Sequence, residues 1–421
     1  MQIKKSTLIT FIFLIIIFLN ERMFYFNDIN NSLHVTLLLI ITFVAFLLNS
    51  KQFLTRKFMF KEVITLYIII NIISLITTNL QFGQPLLLAI SRYKYVFVVL
   101  LYIPITLMIG KIGTESIKKL IVKITSCLSL IYIIQALLYP KVIFLKVSYA
   151  DRFNFTRFFD GAFFITLGLF LTISFIFKNK GLINNIKYYF AFLLQIIYII
   201  FVAQTRNAII PILLIIIILL LLKLKLNNVA SFFKVGIVLI AGIIFLAPYV
   251  LNIFDSVLYD INRTEGTAAI RSQAKQFIEE KIKEKPIFGY GLYNNNFFEG
   301  QYITGSINKY FAQDVGIIGF VFQYGYIGLL LYVWMLIRII FYSYKLFIIN
   351  QGISVFYLSF CLYLCLTSAF TITLNVDNTL IYLVIFMALL ENEYINLYKF
   401  PLCNIDNKVA FQIDSNNERL I

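Results

Sequence analysis

Six arginines, Arg92, Arg152, Arg157, Arg206, Arg263 and Arg271, lie in or beside the connections between long apolar runs, and they are the residues best suited to chemistry. A planar guanidinium grips phosphate oxygens as a bidentate fork, and several around one site would hold a pyrophosphate without a metal. Arg206 is the sharpest case. Ala203-Gln204-Thr205-Arg206-Asn207 forms the whole polar turn between two strongly apolar segments, which puts the guanidinium at the membrane surface or inside the bundle. Snorkelling to lipid headgroups would suit the same position. Arg271 is expected in the first turn of a helix, where a cation opposes the helix dipole unless an anion compensates it; a solvated helix face is the plainer account. Metal chemistry finds little support: there is no Asp-x-Asp pair, and the one histidine, His34, sits near the start of an early apolar run. The four cysteines show neither zinc-ligand spacing nor a disulfide framework.

Lipid must be the solvent for the elements that position these side chains. The 421 residues are 61% hydrophobic and 13% charged, more apolar surface than one soluble core could hide. The apolar runs lack the alternation of a barrel strand, so the expected fold is all-α: a polytopic membrane helical bundle of about 12 transmembrane helices in a single domain, 1–421. Spans are expected near 6–22, 33–49, 62–79, 93–110, 121–138, 160–177, 188–204, 207–222, 234–251, 316–337, 353–372 and 378–392. The first is read as a retained helix, because it lacks a small-x-small cleavage site. Lysines and arginines concentrate in alternate short connections, which makes those connections, the amino terminus and a 393–421 tail cytoplasmic. The same bias accounts for most of the +16 net charge, so nucleic acid is not an expected partner and membrane lipids are.

Two outer connections break the short-loop pattern, 139–160 and 252–315, and function is sought there. In the large extracytoplasmic loop, Ala269, Ile270, Ala274, Phe277, Ile278 and Ile282 recur at helical spacing, which predicts an amphipathic helix near 267–284 with Thr267 as its cap. Pro286-Ile-Phe-Gly289-Tyr-Gly291-Leu-Tyr-Asn294-Asn295-Asn296 follows. Its glycines permit unusual backbone angles and its amides could hydrogen-bond a polar ligand, which makes Gly289, Gly291 and Asn295 candidate binding residues; an ordinary loop is the alternative. Aromatic residues there, such as Tyr290, Tyr293, Phe297, Phe298 and Tyr302, could stack on sugar rings or simply pack. Gly316, Gly319, Gly325 and Gly328 open the next span at a spacing that suits close helix packing.

Taken together, these segments resemble the O-antigen polymerase and O-antigen ligase superfamily of bacterial envelope polysaccharide assembly. Gln204-Thr205-Arg206-Asn207-Ala208 looks like that family's Ser-Arg-Gly/Ala segment with its essential arginine. Arg271 with the following amphipathic helix and Pro286-Ile-Phe-Gly289-Tyr-Gly291 is similar to its second arginine and Pro-x-x-Gly-x-Gly turn. Gln313-Asp314-Val315-Gly316-Ile317-Ile318-Gly319 looks like its acidic-x-Gly-x-x-Gly entrance to the span after the large loop. The likeness covers roughly 190–335. Ligases of this family usually carry a histidine in the large loop, and the corresponding Ser306-Ile-Asn308-Lys-Tyr-Phe has none, which favours a polymerase.

The resemblance implies a metal-independent glycosyltransferase without cofactor in the bacterial plasma membrane. It would join undecaprenyl-pyrophosphate-linked repeat units into O-antigen or capsular polysaccharide at the outer face, with a flippase and a chain-length regulator as partners. Arg206 and Arg271, with Arg152 or Arg157, would neutralise charge on the leaving pyrophosphate. Asp314 is the first choice of general base, ahead of Asp151 and Asp160, although an acid beside a helix start also stabilises it without chemistry. A lipid-linked oligosaccharide flippase and an O-antigen ligase are the competing expectations. A transporter should show matched halves and charges within its spans, whereas the polar groups here gather at one surface.

Overall fold

A computed structural model describes residues 5–21, 31–145, 149–152, 155–158, 160–178, 182–223, 267–294, 296–305, 309–349, 351–375 and 379–399. The chain is a polytopic bundle of apolar helices. Six helical stretches are long and apolar enough to cross a membrane: Lys61–Phe82, Leu86–Ile112, Thr114–Leu138, Asn185–Ala203, Ala312–Ile349 and Leu380–Tyr398. Shorter apolar helices, Ile9–Asn20, Leu33–Leu48, Ala162–Lys178, Asn207–Leu219 and Ser354–Thr367, fall at the other expected spans. The span expected at 234–251, the start of the large loop, Arg263, Asn295 and the chain after Lys399 lie outside the described residues.

Three elements depart from the simple pattern. The stretch expected at 93–110 starts earlier: Leu86–Tyr93 is α-helical and carries Arg92 in its last turn, Lys94–Leu101 tightens to a 3₁₀ helix, and Tyr102–Ile112 is α-helical again. The last helix, Leu380–Lys399, runs beyond the expected end of the span at 392, and Glu391 and Glu393 within it are buried with partners. Tyr102 donates to Glu391, and Lys118 Nζ sits 2.5 Å from Glu393 Oε2. Within the 139–160 connection, Tyr149–Arg152 and Phe155–Phe158 form an antiparallel hairpin, in register Tyr149↔Phe158 and Arg152↔Phe155. No sequence signal for that hairpin stood out.

The helix Gly316–Ile349 is broken at Gly325, where φ is 66° and ψ −171°. The ring of Phe320, before the break, lies 5.7 Å from that of Tyr332, after it. A straight helix would separate residues twelve apart by about 18 Å along its axis, so the chain bends sharply here. Gly316 and Gly319 meet backbone rather than side chains: a Cβ on Gly316 would lie 2.6 Å from the Ala369 carbonyl carbon, and one on Gly319 would collide with Ala312. The small-residue spacing in this span therefore serves close backbone approach.

Candidate functional site

The described sequence-derived candidates fall on two substructures. The first is built around the Arg206 turn. The helix Leu182–Ile197 continues as a π-helical turn, Tyr198–Ala203, and ends where Gln204 takes a left-handed conformation with φ 48°. The Thr205 carbonyl then accepts from the amides of Ala208 (2.9 Å) and Ile209 (3.0 Å), so a new helix begins with Arg206 as its first residue. A cation at a helix start faces unpaired amides and the positive end of the dipole, and an anion bound there relieves both. The dipole reasoning applied to Arg271 from sequence thus belongs to Arg206. The helix of Arg271 starts at Thr267 and places the arginine in its second turn, exposed to solvent.

Beside the Arg206 turn lies the hairpin that carries Arg152 at the end of its first strand and Arg157, half-buried, in its second. Tyr198, in the π-helical turn, donates to the Asp160 carbonyl just after the hairpin, and the Phe158 carbonyl is 3.4 Å away. Behind them is a buried group that sequence reasoning missed. Tyr382 donates to Glu21, and the rings of Tyr132 and Tyr198 lie 5.3 Å apart. A Cβ on Gly161 would come within 2.9 Å of Glu21 Oε2. Nothing in the sequence around Glu21 marks its partner, Tyr382, or its neighbour Gly161, which come from distant segments.

The second substructure is the large loop, which has a small apolar core of its own. Ala274, Ile278 and Ile282 on one face of the helix Thr267–Glu284 pack with Tyr290, Tyr293, Tyr310, Val315 and Phe322. Arg271 and Asp314 are both exposed on this substructure, Asp314 in the 3₁₀ turn Ala312–Val315 against which the loop helix packs. The turn after the helix is tied to the start of the Leu86–Tyr93 helix. Gln84 Nε2 donates to the Leu292 carbonyl (3.1 Å), its Oε1 accepts the Asn294 amide (2.6 Å), and Asn294 Nδ2 donates to the Leu88 carbonyl (2.9 Å). Tyr93 donates to the Tyr293 carbonyl at 2.9 Å. At the end of the loop helix, hydrogen bonds from Lys281 and Tyr290 hold Glu284 below the usual glutamate range, while burial pushes the Lys285 ammonium below the usual lysine range.

Gly289 and Gly291 sit in the break of the membrane helix. The amides of Tyr290 and Gly291 donate to the carbonyls of Phe322 (2.7 Å) and Gln323 (2.9 Å), and the Tyr326 amide donates to the Pro286 carbonyl (2.8 Å). A Cβ on Gly289 would lie 2.6 Å from the Phe322 oxygen, and one on Gly291 2.6 Å from the Ser74 oxygen. Gly291 already spends its amide on a protein carbonyl, and both glycines are buried, so what they provide is close backbone approach. Among the described residues no cluster of three or more His, Cys, Asp or Glu side chains could hold a metal ion.

Residues 190–333 match the family described as O-Antigen ligase. No curated protein matches the chain. The matched stretch contains the Arg206 turn, the loop helix with Arg271, the Pro286–Gly291 turn, Asp314 and the helix break, the same parts that the geometry gathers into the two substructures. Across these residues the chain is similar to the O-antigen polymerase and ligase superfamily, and its apolar helices make it a multi-pass membrane protein.

Proposed function

We propose that the protein is a polysaccharide polymerase of this superfamily. It transfers a growing glycan from an undecaprenyl pyrophosphate carrier to a hydroxyl of a new lipid-linked repeat unit at the outer face of the bacterial plasma membrane. The observation that carries the reading is Arg206 at the first position of a helix, inside the family segment and beside the arginine-bearing hairpin. The new glycosidic bond forms as the bond to the carrier pyrophosphate breaks. The Arg206 guanidinium and the positive end of its helix are suited to the charge gathering on that leaving group, with Arg271, Arg152 and Arg157 as further candidates. Asp314, an exposed carboxylate at the entrance to the broken helix, is the proposed acceptor of the hydroxyl proton. A ligase, which would pass finished polymer to a different acceptor, is the second reading, because the matching family bears that description; the absence of histidine from residues 306–311 favours the polymerase.

The test is the glycan profile of cells lacking the protein, complemented with wild type or with Arg206→Ala, on a gel that separates single repeats from polymer. Accumulation of single-repeat glycan, relieved only by wild type, is expected. Free polymer accumulating unattached would mean a ligase, and repeat units trapped on the cytoplasmic side would mean a flippase.

A further inference from the structure

The turn after the loop helix ends against Ser74 and Thr78, part-way along the helix Lys61–Phe82 rather than at its tip. The helix Lys61–Phe82 serves as the ruler: Lys61 and Glu62 mark one end, and at the other Gln81 accepts a hydrogen bond from Lys285 at 2.6 Å. The Lys285 ammonium also lies 4.5 Å from the Phe82 ring centroid and 4.8 Å from that of Tyr290, an aromatic and cationic collar typical of a membrane interface. From Lys285 the chain moves inward along that helix. The Leu292 amide reaches the Ser74 carbonyl, and Gly291 is pressed against Thr78 and Ser74. These residues are three and seven positions before Gln81, so the end of the turn lies about 5–10 Å inward of Gln81 along that helix at 1.5 Å per residue.

Non-helical backbone is tolerated at such depth only when its polar groups find protein partners. Here they do. Tyr290 and Gly291 donate to the carbonyls that the break at Gly325 releases, and the amides of Tyr326 and Ile327 are taken up by the Pro286 and Ile287 carbonyls. With the backbone satisfied, the outward side chains are apolar: Ile287 is 59% and Phe288 46% exposed, and on the adjoining helix Tyr326 is 52% and Leu330 70% exposed. Tyr326 and Leu330 are exposed on that membrane-crossing helix, and the Tyr326–Pro286 and Ile327–Ile287 hydrogen bonds join the turn carrying Ile287 and Phe288 to it.

We propose that the Pro286–Gly291 turn re-enters the bilayer and that Ile287 and Phe288 contact the acyl chains of the leaflet on the loop's side. The large loop is then anchored in the same lipid layer that delivers a lipid-linked substrate, rather than standing free above it. The inference concerns lipid contact and holds whether or not the protein is a polymerase.

Trp334 is the one tryptophan in the chain, so a Trp334→Phe background gives a silent starting point. Phe288→Trp and, separately, Ile287→Trp in that background are reconstituted as full-length protein in phosphatidylcholine vesicles, with Phe298→Trp in the outer part of the loop as the comparison. Expected for either turn variant is at least twofold quenching by dibrominated phosphatidylcholine, with shallow bromines at least as effective as deep ones, and little quenching by aqueous acrylamide. Phe298→Trp should respond chiefly to acrylamide. Acrylamide quenching of both turn variants without a bromolipid effect would overturn the proposal, as would protection of both from either quencher, which would mean that protein covers the turn.

Discussion

At the scale of single residues, what distinguishes this protein is where it buries acids. Glu21, Glu391 and Glu393 are all largely shielded, and each has a named partner from a distant helix: Tyr382, Tyr102 and Lys118 respectively. A buried carboxylate costs stability unless paired, so each pair should be sensitive to loss of one member only. We expect Lys118→Ala to destabilise the protein by about 3–5 kcal/mol, as for other buried ion pairs broken on one side, and Lys118→Met/Glu393→Leu to recover most of that. Thermal unfolding of the detergent-solubilised variants, followed by Trp334 fluorescence, would check this. For Tyr382→Phe, losing one hydrogen bond to a charged group should cost about 1.5–3 kcal/mol. Glu284 behaves differently because it is exposed. Its folded pKa lies below the usual glutamate value, so the stability it contributes is present above the unfolded pKa and is lost as pH falls through the folded one. Hydrogen exchange across residues 281–290, corrected for intrinsic rates, should quicken as pH falls below the usual glutamate range. Glu284→Gln should flatten that response.

At the scale of elements, the broken helix and the glycine turn depend on each other. Gly325 needs its positive φ and the close approach of the Ile287 carbonyl, and a Cβ there would collide with it. Gly325→Ala and Gly289→Ala should therefore lower folded yield severely, whereas Gly83→Ala should cost only about 1–2 kcal/mol, since Gly83 has φ 67° but nothing within 4 Å of a Cβ. Size-exclusion profiles of the three variants would separate the steric effect from the conformational one. Gln84→Ala tests the other fastening of the loop, since that one amide serves both Leu292 and Asn294. Proteolysis within 286–305 should become faster while the transmembrane helices stay resistant.

At the scale of the whole molecule, two substructures built around different arginines belong to a single helical bundle. The helix Gln351–Thr367 packs against both the Arg206 helix and the broken helix that supports the loop, a direct mechanical path between them. If both arginine sites serve one reaction, as proposed, purified protein in vesicles should polymerise lipid-linked repeat units with EDTA present. Arg206→Lys should lose far more activity than an ordinary surface substitution, because lysine cannot reproduce a bidentate grip.

Hydropathy alone located the described apolar helices, because each span satisfies its own backbone and its apolar character adds up along a local stretch. The loop helix was visible for the same reason, its apolar face repeating every three or four residues. The start of a helix at Arg206, the hairpin holding Arg157, the carboxylate of Glu21 among tyrosines and the glycine turn seated in the Gly325 break were decided by the tertiary structure. Each of these depends on contacts between segments tens to hundreds of residues apart, where a hydrogen bond to a distant carbonyl or a missing Cβ settles the conformation. Local pattern supplies the parts that lipid requires; only close approach between distant backbones determines which of them meet.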